Sequence, residues 1–381
     1  MKEDAATKFN RSAIIADIGS SITKAGLSIE EAPTSRFETL VGRSKYPKLF
    51  QPQTEGDLVV PLKEYRGLYK LQHPVRRGLL NPEADIKPII SKIYADLKVM
   101  NSKDVPVFFI EPPFAPFSQK FGLAMTLFDS FGVNELFFGT AGALSLHALG
   151  KLDGLLLECG DGVTQIVPMY NGYKLDHGLE KAHFAGYDVT QALKLSLRRR
   201  GMLINTSHQD LIFNEVKKAV CELDVPDKPR QPGSEISYPQ SSKTFELPDG
   251  KVIEVGEDRF AATEILFDPE STGEGFLGVH QLVERSLSKL DLELRKHLLK
   301  SIYLAGGTSH TPGFAERLQL ELTPLFAQHT RIKVEASHPD RSSLAWIGGA
   351  LISNLSTFSK MWITKKELED SGDRILLQKC F

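Results

Sequence analysis

Apolar and polar residues follow the same order in two short stretches, one in each half of the chain. An apolar run, a carboxylate, a turn of small residues and a second β-prone run succeed one another in residues 13–27 and again in residues 154–167. The carboxylates are Asp17 and Glu158. Apolar runs separated by a glycine-containing turn are typical of two strands joined as a hairpin. Each stretch therefore predicts a β-hairpin with a carboxylate just before its turn.

A carboxylate beside a glycine-rich turn suits the binding of a phosphate group and its Mg²⁺ ion. Small residues let backbone N–H groups approach anionic oxygens, and a carboxylate can hold the metal ion through water. Two such hairpins indicate two similar domains that hold one nucleotide between them. Either stretch alone is also compatible with an ordinary turn, because acidic residues and glycines commonly follow strands.

Other segments add a third glycine-rich turn and several helices. Residues 301–309 predict a strand that ends in Gly306, Gly307 and Thr308. Helical spacing of apolar residues, or in one case a run of small apolar residues, predicts helices at 83–100, 119–131, 140–149, 189–200, 209–223, 277–290 and 293–300. The segment 224–242 contains four prolines and predicts an exposed loop.

Composition is consistent with this plan and excludes some classes of function. A chain of 381 residues with 41% hydrophobic and 25% charged residues can form two or more domains with substantial cores. The net charge of −2 argues against nucleic acid as the main partner. We find no apolar stretch of membrane length and no signal-peptide pattern, so we expect no membrane insertion. Cys159, Cys221 and Cys380 lack metal-ligand spacing, which favours reduced thiols in the cytosol.

The three turns, in this order, resemble the superfamily of actin, sugar kinases and heat-shock ATPases. Within that superfamily, the chain from about residue 12 to residue 381 resembles actin and the actin-related proteins in the segments 24–26, 41–43, 66–67, 144–146, 159–164, 247–250, 346–349, 355–358, 361–365 and 379–381. The resemblance implies an α/β, actin-like ATPase fold in which two duplicated α/β domains face a nucleotide cleft. It also implies four subdomains. The first comprises residues 1–38, 74–148 and 343–381, and the second comprises 39–73. The third comprises 149–184 and 275–342, and the fourth comprises 185–274.

The resemblance further implies a site for ATP or ADP with Mg²⁺. The implied phosphate contacts are Gly19, Ser20, Ser21, Lys24, Gly160, Asp161, Gly162 and Val163. The implied contacts on the sugar and base side are Gly186, Lys217, Gly306, Gly307 and Thr308. The residues implied to hold the metal ion through water are Asp17, Glu158 and Asp161. Lys24 is expected to supply a point charge to the phosphate oxygens.

The implied catalytic positions, Ala141, Gln165 and Asp161, depart from the family pattern at two places. Actins have a glutamine where this chain has Ala141, and that glutamine positions the attacking water, which a methyl group cannot do. Actins have a histidine where this chain has Gln165, and an amide cannot titrate to move a proton. A third departure is Glu158, which is one methylene longer than the usual aspartate. We therefore expect at most slow ATP hydrolysis.

The sugar and base side also departs from the family pattern. A glutamate that contacts ribose in actins corresponds to Lys218, and an aromatic residue and a lysine that flank adenine correspond to Thr311 and Ser342. The phosphate contacts are therefore retained better than the contacts to base and ribose.

Some segments resemble one branch of the family, centractin, which forms the filament of dynactin. The segment 45–58 corresponds to the loop that docks into the next subunit and resembles centractin in its length and in its Glu-Gly-Asp ending. The segment 193–201 also resembles centractin, whereas the terminal residues 379–381 resemble conventional actin. In residues 267–276, polar residues replace the apolar plug of actins, which predicts weak or partner-stabilised polymerisation.

The resemblance leaves three classes of function. We favour a nucleotide-bound structural subunit of a cytoplasmic, cytoskeletal filament that self-associates and contacts other subunits of a dynactin-like assembly. The first alternative is a divergent actin that polymerises dynamically with ATP hydrolysis. The second is an actin-fold docking subunit of a large complex such as a chromatin remodeller.

Overall fold

A computed structural model describes residues 12–46, 58–61, 63–82, 84–202, 206, 208–230, 236–269, 276–326 and 331–380. The chain divides into two compact units, Met1–Lys151 with Ser343–Phe381, and Leu152–Ser342. The finer division into four subdomains stays a prediction. Most of the expected docking loop and the plug residues 270–275 lie outside the described residues.

The described residues form short strands in both units. In chain order they are β1 (Ile14–Ile18), β2 (Ile22–Leu27), β3 (Ser35–Glu38), β4 (Val41–Ser44), β5 (Leu58–Val59), β6 (Tyr69–Gln72), β7 (Val75–Arg76), β8 (Leu79–Leu80), β9 (Val107–Glu111), β10 (Glu135–Thr140), β11 (Gly154–Cys159), β12 (Thr164–Tyr170), β13 (Tyr173–Lys174), β14 (Glu180–Ala182), β15 (Lys243–Glu246), β16 (Val252–Val255), β17 (Ile302–Ala305), β18 (Val334–Glu335) and β19 (Ile363–Thr364).

Helices connect and cover these strands. The α-helices are α1 (Lys87–Asp96), α2 (Phe117–Met125), α3 (Ala141–Ala148), α4 (Gly186–Arg199), α5 (Gln209–Val220), α6 (Asp258–Glu264), α7 (Val279–Ser288), α8 (Leu292–Leu298), α9 (Phe314–Leu322), α10 (Leu344–Ser353), α11 (Lys365–Ser371) and α12 (Arg374–Lys379). Among the described residues, no helix has both the length and the apolar character needed to cross a membrane.

The first unit is built on a mixed sheet of six strands in the order β19-β10-β9-β1-β2-β3. Strands β1, β9 and β10 run parallel, and β2 and β19 pair with them in the antiparallel sense. Helices cover both faces of this sheet. Ile14 shares an apolar cluster with Ile90 and Ile93 of α1. The carbonyl of the next residue, Ile15, accepts a hydrogen bond from the indole N–H of Trp346 in α10. A strand covered on both faces is expected to be apolar along most of its length, and β9 is apolar up to its last residue, Glu111.

The second unit contains a sheet in the order β13-β12-β11-β17-β18, with β14 also paired to β12. Strands β11, β17 and β18 run parallel, and β12 pairs with β11 in the antiparallel sense. Each sheet thus begins with a hairpin, whose first strand pairs with a parallel strand that comes later in the chain.

The two hairpins also share their pairing register. Asp17 lies opposite Lys24 in one, and Glu158 lies opposite Gln165 in the other. The turn closes in the same way, because the N–H of Gly19 donates to Ile22 over 3.2 Å and the N–H of Gly160 donates to Val163 over 3.1 Å. The prediction of two similar α/β domains, each with such a hairpin, is confirmed.

Several predicted helices are present with shorter bounds. The helix predicted at 140–149 is α3, whereas the one predicted at 83–100 begins only at Lys87 and ends at Asp96. It stops there because Lys98 adopts a left-handed conformation, with φ of 55°. The helix predicted at 119–131 is α2, which begins earlier, at Phe117, and continues as a π-helical turn over Thr126–Ser130.

The predicted loop 224–242 is less exposed at its start than its sequence suggests. Arg230 forms ion pairs with Asp224 and with Glu264, and its carboxylate partner Glu264 also binds the fully buried Arg317 at 2.6 Å. Buried ionic groups need partners of this kind to offset the cost of desolvation. The loop is therefore attached to α6 and α9 through charges that the sequence pattern did not reveal.

All three cysteines are buried free thiols. Burial raises the pKa of Cys159 and of Cys221 to about 12 and that of Cys380 to about 11. Thiols with such high pKa values are poor nucleophiles, because the reactive species is the thiolate.

Helices α3 and α10 of the first unit approach each other at a glycine. A Cβ atom added to Gly348 would lie 1.9 Å from the carbonyl oxygen of Leu144 in α3. Because the obstructing atom belongs to the backbone, it cannot rotate away. This contact fixes the separation of the two helices.

We predict that Gly348→Ala lowers the free energy of unfolding by about 3 kcal/mol, the upper part of the range for overpacking. Alanine otherwise favours a helix interior by about 1 kcal/mol over glycine, so a loss must come from the contact. The control is Gly349→Ala, where the nearest atom to the added carbon is a side-chain methyl of Ile15 at 3.1 Å. Chemical denaturation at fixed nucleotide concentration measures both, and equal effects would contradict the helix-contact argument.

Candidate functional site

The first candidate turn carries an ion pair across its hairpin. Lys24 Nζ lies 2.6 Å from Asp17 Oδ2, and both side chains are largely buried. The pairing register dictates this contact, because directly opposed residues on antiparallel strands lie on the same face. The ammonium group of Lys24 is thereby held beside the turn at Gly19.

A second hairpin, formed by β7 and β8, contacts the same turn. The N–H of Gly78 donates to Ser20 Oγ over 3.0 Å. Arg77, the residue before it, has a left-handed φ of 51°, which non-glycine residues seldom adopt outside turns. The hydroxyl of Ser20 is thus oriented by a backbone amide from a separate hairpin.

The carboxyl ends of three parallel strands meet at this edge of the first sheet. Asp17 of β1, Glu111 of β9 and Thr140 of β10 lie at or near the ends of their strands, and Ala141 begins α3 immediately afterwards. Lys120 Nζ lies 2.5 Å from Glu111 Oε1. The edge therefore places polar groups on neighbouring strands, but position 141 offers only a methyl group that is 7% exposed.

The second candidate turn is held by close backbone contacts to α4 and to the third turn. Thr308 Oγ1 donates to the carbonyl of Gly160 over 2.6 Å, and the N–H of Gly186 donates to the same carbonyl over 3.1 Å. A Cβ atom on Gly186 would lie 2.3 Å from Thr308 Oγ1. Glycine is therefore required at position 186 for the three segments to meet.

Gly306 allows the third turn to approach the end of β11. Its φ is 86°, and an added Cβ atom would lie 2.3 Å from the carbonyl oxygen of Cys159. Both facts exclude a residue with a side chain. Among the described residues, no atom lies within 4 Å of a Cβ built on Gly307, so the backbone there borders open space.

Lys217 brings a cation to the same group of segments. Its Nζ donates to the carbonyl of Gly186 over 2.7 Å and lies 3.6 Å from Asp161 Oδ1. Burial lowers the pKa of Lys217, and the carboxylate of Asp161 acts in the opposite direction. The sequence-predicted residues Gly160, Asp161, Gly186, Lys217, Gly306 and Thr308 are therefore joined by direct contacts within the second unit.

Three polar residues form a row across the strands that adjoin this turn. Gln165 of β12 lies opposite Glu158 of β11 on one side and opposite Lys181 of β14 on the other. Gln165 is 3% exposed, and its Oε1 atom has no hydrogen-bond partner among the described residues. Burial lowers the pKa of Lys181.

The hydroxyls at two expected base-side positions are engaged by the protein itself. Thr311 Oγ1 donates to the carbonyl of Thr308 over 2.8 Å, and Ser342 Oγ donates to Asp340 Oδ1 over 2.6 Å. Lys218 is exposed at the end of α5. These three side chains do not join the group around Gly186.

Sequence reasoning missed three contributors to the two candidate turns. Glu111 could have been noticed as a carboxylate that ends a buried apolar strand. The contact between Gly78 and Ser20 carries no sequence signal, because it joins two hairpins that are distant in the chain. Lys181 lies in a three-residue strand that is too short to show a pattern.

The carboxylates beside the two turns are not part of a larger cluster of metal-ligand residues. Within them, no group of three or more His, Cys, Asp or Glu side chains is arranged to hold a metal ion. Single carboxylates beside glycine turns, such as Asp17 and Asp161, match the donor chemistry of Mg²⁺, which keeps several of its waters.

Known proteins resemble this chain over almost its whole length. A sequence model of the Actin family matches residues 9–381. A protein of Neurospora crassa named "Actin-like protein" is 35% identical over 369 residues, which cover 95% of this chain and 96% of that protein.

We predict that Gly186→Ala and Thr308→Ala are strongly coupled. Gly186→Ala forces its methyl against Thr308 Oγ1, so it should lower the melting temperature clearly, and Thr308→Ala should recover part of the loss. The coupling free energy should reach about 1 kcal/mol or more, as for residues in direct contact. Thermal denaturation of the two single variants and the double variant measures it. Additive effects would show that this contact does not limit position 186.

Proposed function

The chain belongs to the actin family, and we propose that it is an adenine-nucleotide-binding structural subunit of a cytoplasmic, cytoskeletal filament. Actin-family proteins generally bind an adenine nucleotide with a divalent cation. The observation that carries the proposal is the group of contacts around Gly160, Gly186 and Thr308, which brings the ammonium group of Lys217 and the open backbone at Gly307 to one turn. An ammonium group and exposed backbone N–H groups are suitable donors to an anionic ligand.

We assign the two hairpin turns to the phosphates of ATP or ADP. The proposed phosphate contacts are Gly19, Ser20, Ser21, Lys24, Gly160, Asp161, Gly162 and Val163. The proposed sugar and base contacts are Gly186, Lys217, Gly306, Gly307 and Thr308. Backbone amides and lysine ammonium groups fit phosphate oxygens in charge and in hydrogen-bond direction.

The carboxylates of Asp17, Glu158 and Asp161 are the proposed metal-facing groups, acting through water. When bound, Mg²⁺ neutralises negative charge on the phosphates. Lys24 contacts Asp17 in the structure, so its ammonium group is already positioned next to the first turn. Phosphate oxygens can share this ammonium with the carboxylate, since it has three N–H donors.

ATP turnover is proposed to be slow. Ala141, at the position of the water-orienting glutamine of actins, has no polar atom in its side chain. Gln165, at the position of the family histidine, cannot accept a proton at neutral pH. Positioning is much of what such sites contribute to phosphoryl transfer, so the loss of one positioning group slows the reaction without preventing nucleotide binding.

A filament role is supported by exposed apolar side chains that are available for contacts with other subunits. Tyr173, which follows the turn between β12 and β13, is 77% exposed, and Leu195 of α4 is 52% exposed. The docking segment 45–58 and the segment 193–201 resemble centractin, so we favour a filament of the dynactin type. A divergent actin is the second candidate, because the terminal residues 379–381 resemble those of conventional actin.

We predict that Asp161→Ala weakens retention of the nucleotide and its metal ion by about 10- to 100-fold, as expected when an outer-shell carboxylate is lost. The variant also removes the carboxylate beside Lys217. Asp176→Ala is the control, since Asp176 is an exposed aspartate of the same unit. Nucleotide release into buffer with excess chelator measures both. Equal release from the variant, the control and the unaltered protein would contradict the assignment.

We predict that the double variant Leu49→Asp, Phe50→Asp abolishes self-association. Each apolar side chain buried at a contact contributes about 1.5–3 kcal/mol, and the introduced charges oppose burial. Ile29→Asp, at a 72% exposed apolar position of the first unit, is the control. Sedimentation and thermal denaturation together distinguish lost assembly from unfolding. Assembly of the double variant at the level of the unaltered protein would exclude this docking contact.

A further inference from the structure

We propose that Arg341 is a positioning residue of the nucleotide site, which holds the third turn where it meets the nucleoside half of the ligand. The inference rests on the proposed nucleotide-binding function and extends it to a residue outside the three turns. Arg341 is assigned no contact with the nucleotide. It acts through its hydrogen bonds to Gly306 and Ser309 of the third turn.

The first support is the number of bonds between Arg341 and the third turn. Arg341 Nη2 donates to the carbonyl of Ser309 over 2.9 Å, and Nε donates to Ser309 Oγ over 3.2 Å. The hydroxyl of Ser309 in turn donates to the carbonyl of Gly306 over 2.7 Å. The N–H of Gly306 donates to the carbonyl of Arg341 over 3.0 Å. Side chain and backbone of one arginine therefore hold both Gly306 and Ser309.

The second support is that the guanidinium group is also attached on its other side. Arg341 Nη1 donates to the carbonyl of Ala336 over 2.6 Å. A planar guanidinium has its donors in a fixed arrangement, whereas the ammonium group of a lysine rotates on a flexible stem. Arg341 can therefore join the third turn to the segment after β18 in one defined geometry.

The third support is what lies between the attachment points of the turn. Gly306 is held by Arg341, and Thr308 is held by the carbonyl of Gly160. Gly307 lies between them, and among the described residues no atom lies close to a Cβ built on it. The backbone of Gly307 is a proposed contact to sugar and base. Its position depends on both attachments, so Arg341 affects the ligand through it.

The fourth support is that the bonds of Arg341 serve the turn and not a network of charges. Within the part of the chain that the structure describes, the guanidinium bonds only to neutral oxygens, those of Ser309 and Ala336. Burial lowers the pKa of Arg341, and the charge of Glu316 acts in the opposite direction. Replacement of Arg341 should therefore release the third turn without breaking an ion pair.

The test measures how fast labelled ATP leaves the full-length protein in excess unlabelled ATP. Arg341→Lys keeps the positive charge but loses the planar group, so release should accelerate about tenfold, the lower end of what a hydrogen bond to a charged group contributes. Arg341→Met removes the charge as well and should accelerate release at least as much. The lysine variant remains informative where the methionine variant does not fold.

A second ligand separates positioning from a general structural role. ATP would contact all three turns, whereas inorganic tripolyphosphate carries only the part that is assigned to the first two. Arg341→Lys should weaken the binding of ATP by the same factor as it accelerates release, and it should leave the binding of tripolyphosphate unchanged. A variant that loosened the whole site would weaken both ligands.

The pKa of His310 reports whether the charge at position 341 stays beside the turn. Burial lowers the pKa of His310, and the charge of Arg341 lowers it further; His338 acts in the same direction and Asp340 in the opposite one. The pKa of His310 should stay low in Arg341→Lys and rise in Arg341→Met. Titration by NMR measures it.

Arg295→Lys is the matched control. Arg295 is a partly buried arginine of the same unit, and it donates to the carbonyls of Leu290 and Ser288 over 2.7 Å each. These carbonyls belong to the connection between α7 and α8, and not to any of the three turns. The control should release ATP at the rate of the unaltered protein.

The outcomes distinguish this inference from the nucleotide-binding function. Protein that binds neither ATP nor tripolyphosphate contradicts the proposed function itself. Protein that binds ATP and releases it equally fast with arginine or lysine at position 341 overturns the role of Arg341 alone. An equal loss of ATP and tripolyphosphate in Arg341→Lys also overturns it, as does an equal acceleration in Arg295→Lys.

Discussion

The pairing register of the two hairpins is the constraint on which both candidate turns depend. Antiparallel pairing puts Asp17 opposite Lys24 and Glu158 opposite Gln165, with a glycine-closed turn between each pair. A shift of one residue would move every one of these side chains to the other face of its sheet. The buried apolar residues of β1 and β11 oppose such a shift, because it would disrupt their close packing against neighbouring elements. The hydrophobic core therefore fixes the position of the polar groups.

Glycines allow segments that are distant in sequence to contact the second hairpin. Gly186 and Gly306 permit contacts of α4 and of the third turn with the end of β11 that any side chain would block. The N–H groups of both glycines donate to carbonyls of the protein, that of Gly186 to Gly160 and that of Gly306 to Arg341, so they stabilise the packing of these segments. Within the second unit, Lys217 and Asp161 add opposite charges to this group of backbone contacts.

Much of the local structure could be predicted from the sequence. The alternation of apolar runs and glycine turns predicts both hairpins, and the resemblance to actins assigns the turns at Gly160, Gly186 and Gly306 to one site. The bounds of α1 could not be predicted, because its end depends on the left-handed conformation of Lys98. The row formed by Glu158, Gln165 and Lys181 was also hidden, since strand β14 is short and its register is set by tertiary pairing.

The central claim is that this member of the actin family binds one adenine nucleotide at these turns. The most direct measurement is the nucleotide content of the purified protein, determined by chromatography of the supernatant after denaturation. The account predicts about one adenine nucleotide per chain, present largely as ATP because turnover is slow. A stably folded protein that carries no nucleotide, and whose melting temperature does not rise when Mg²⁺ and ATP are added, would contradict it.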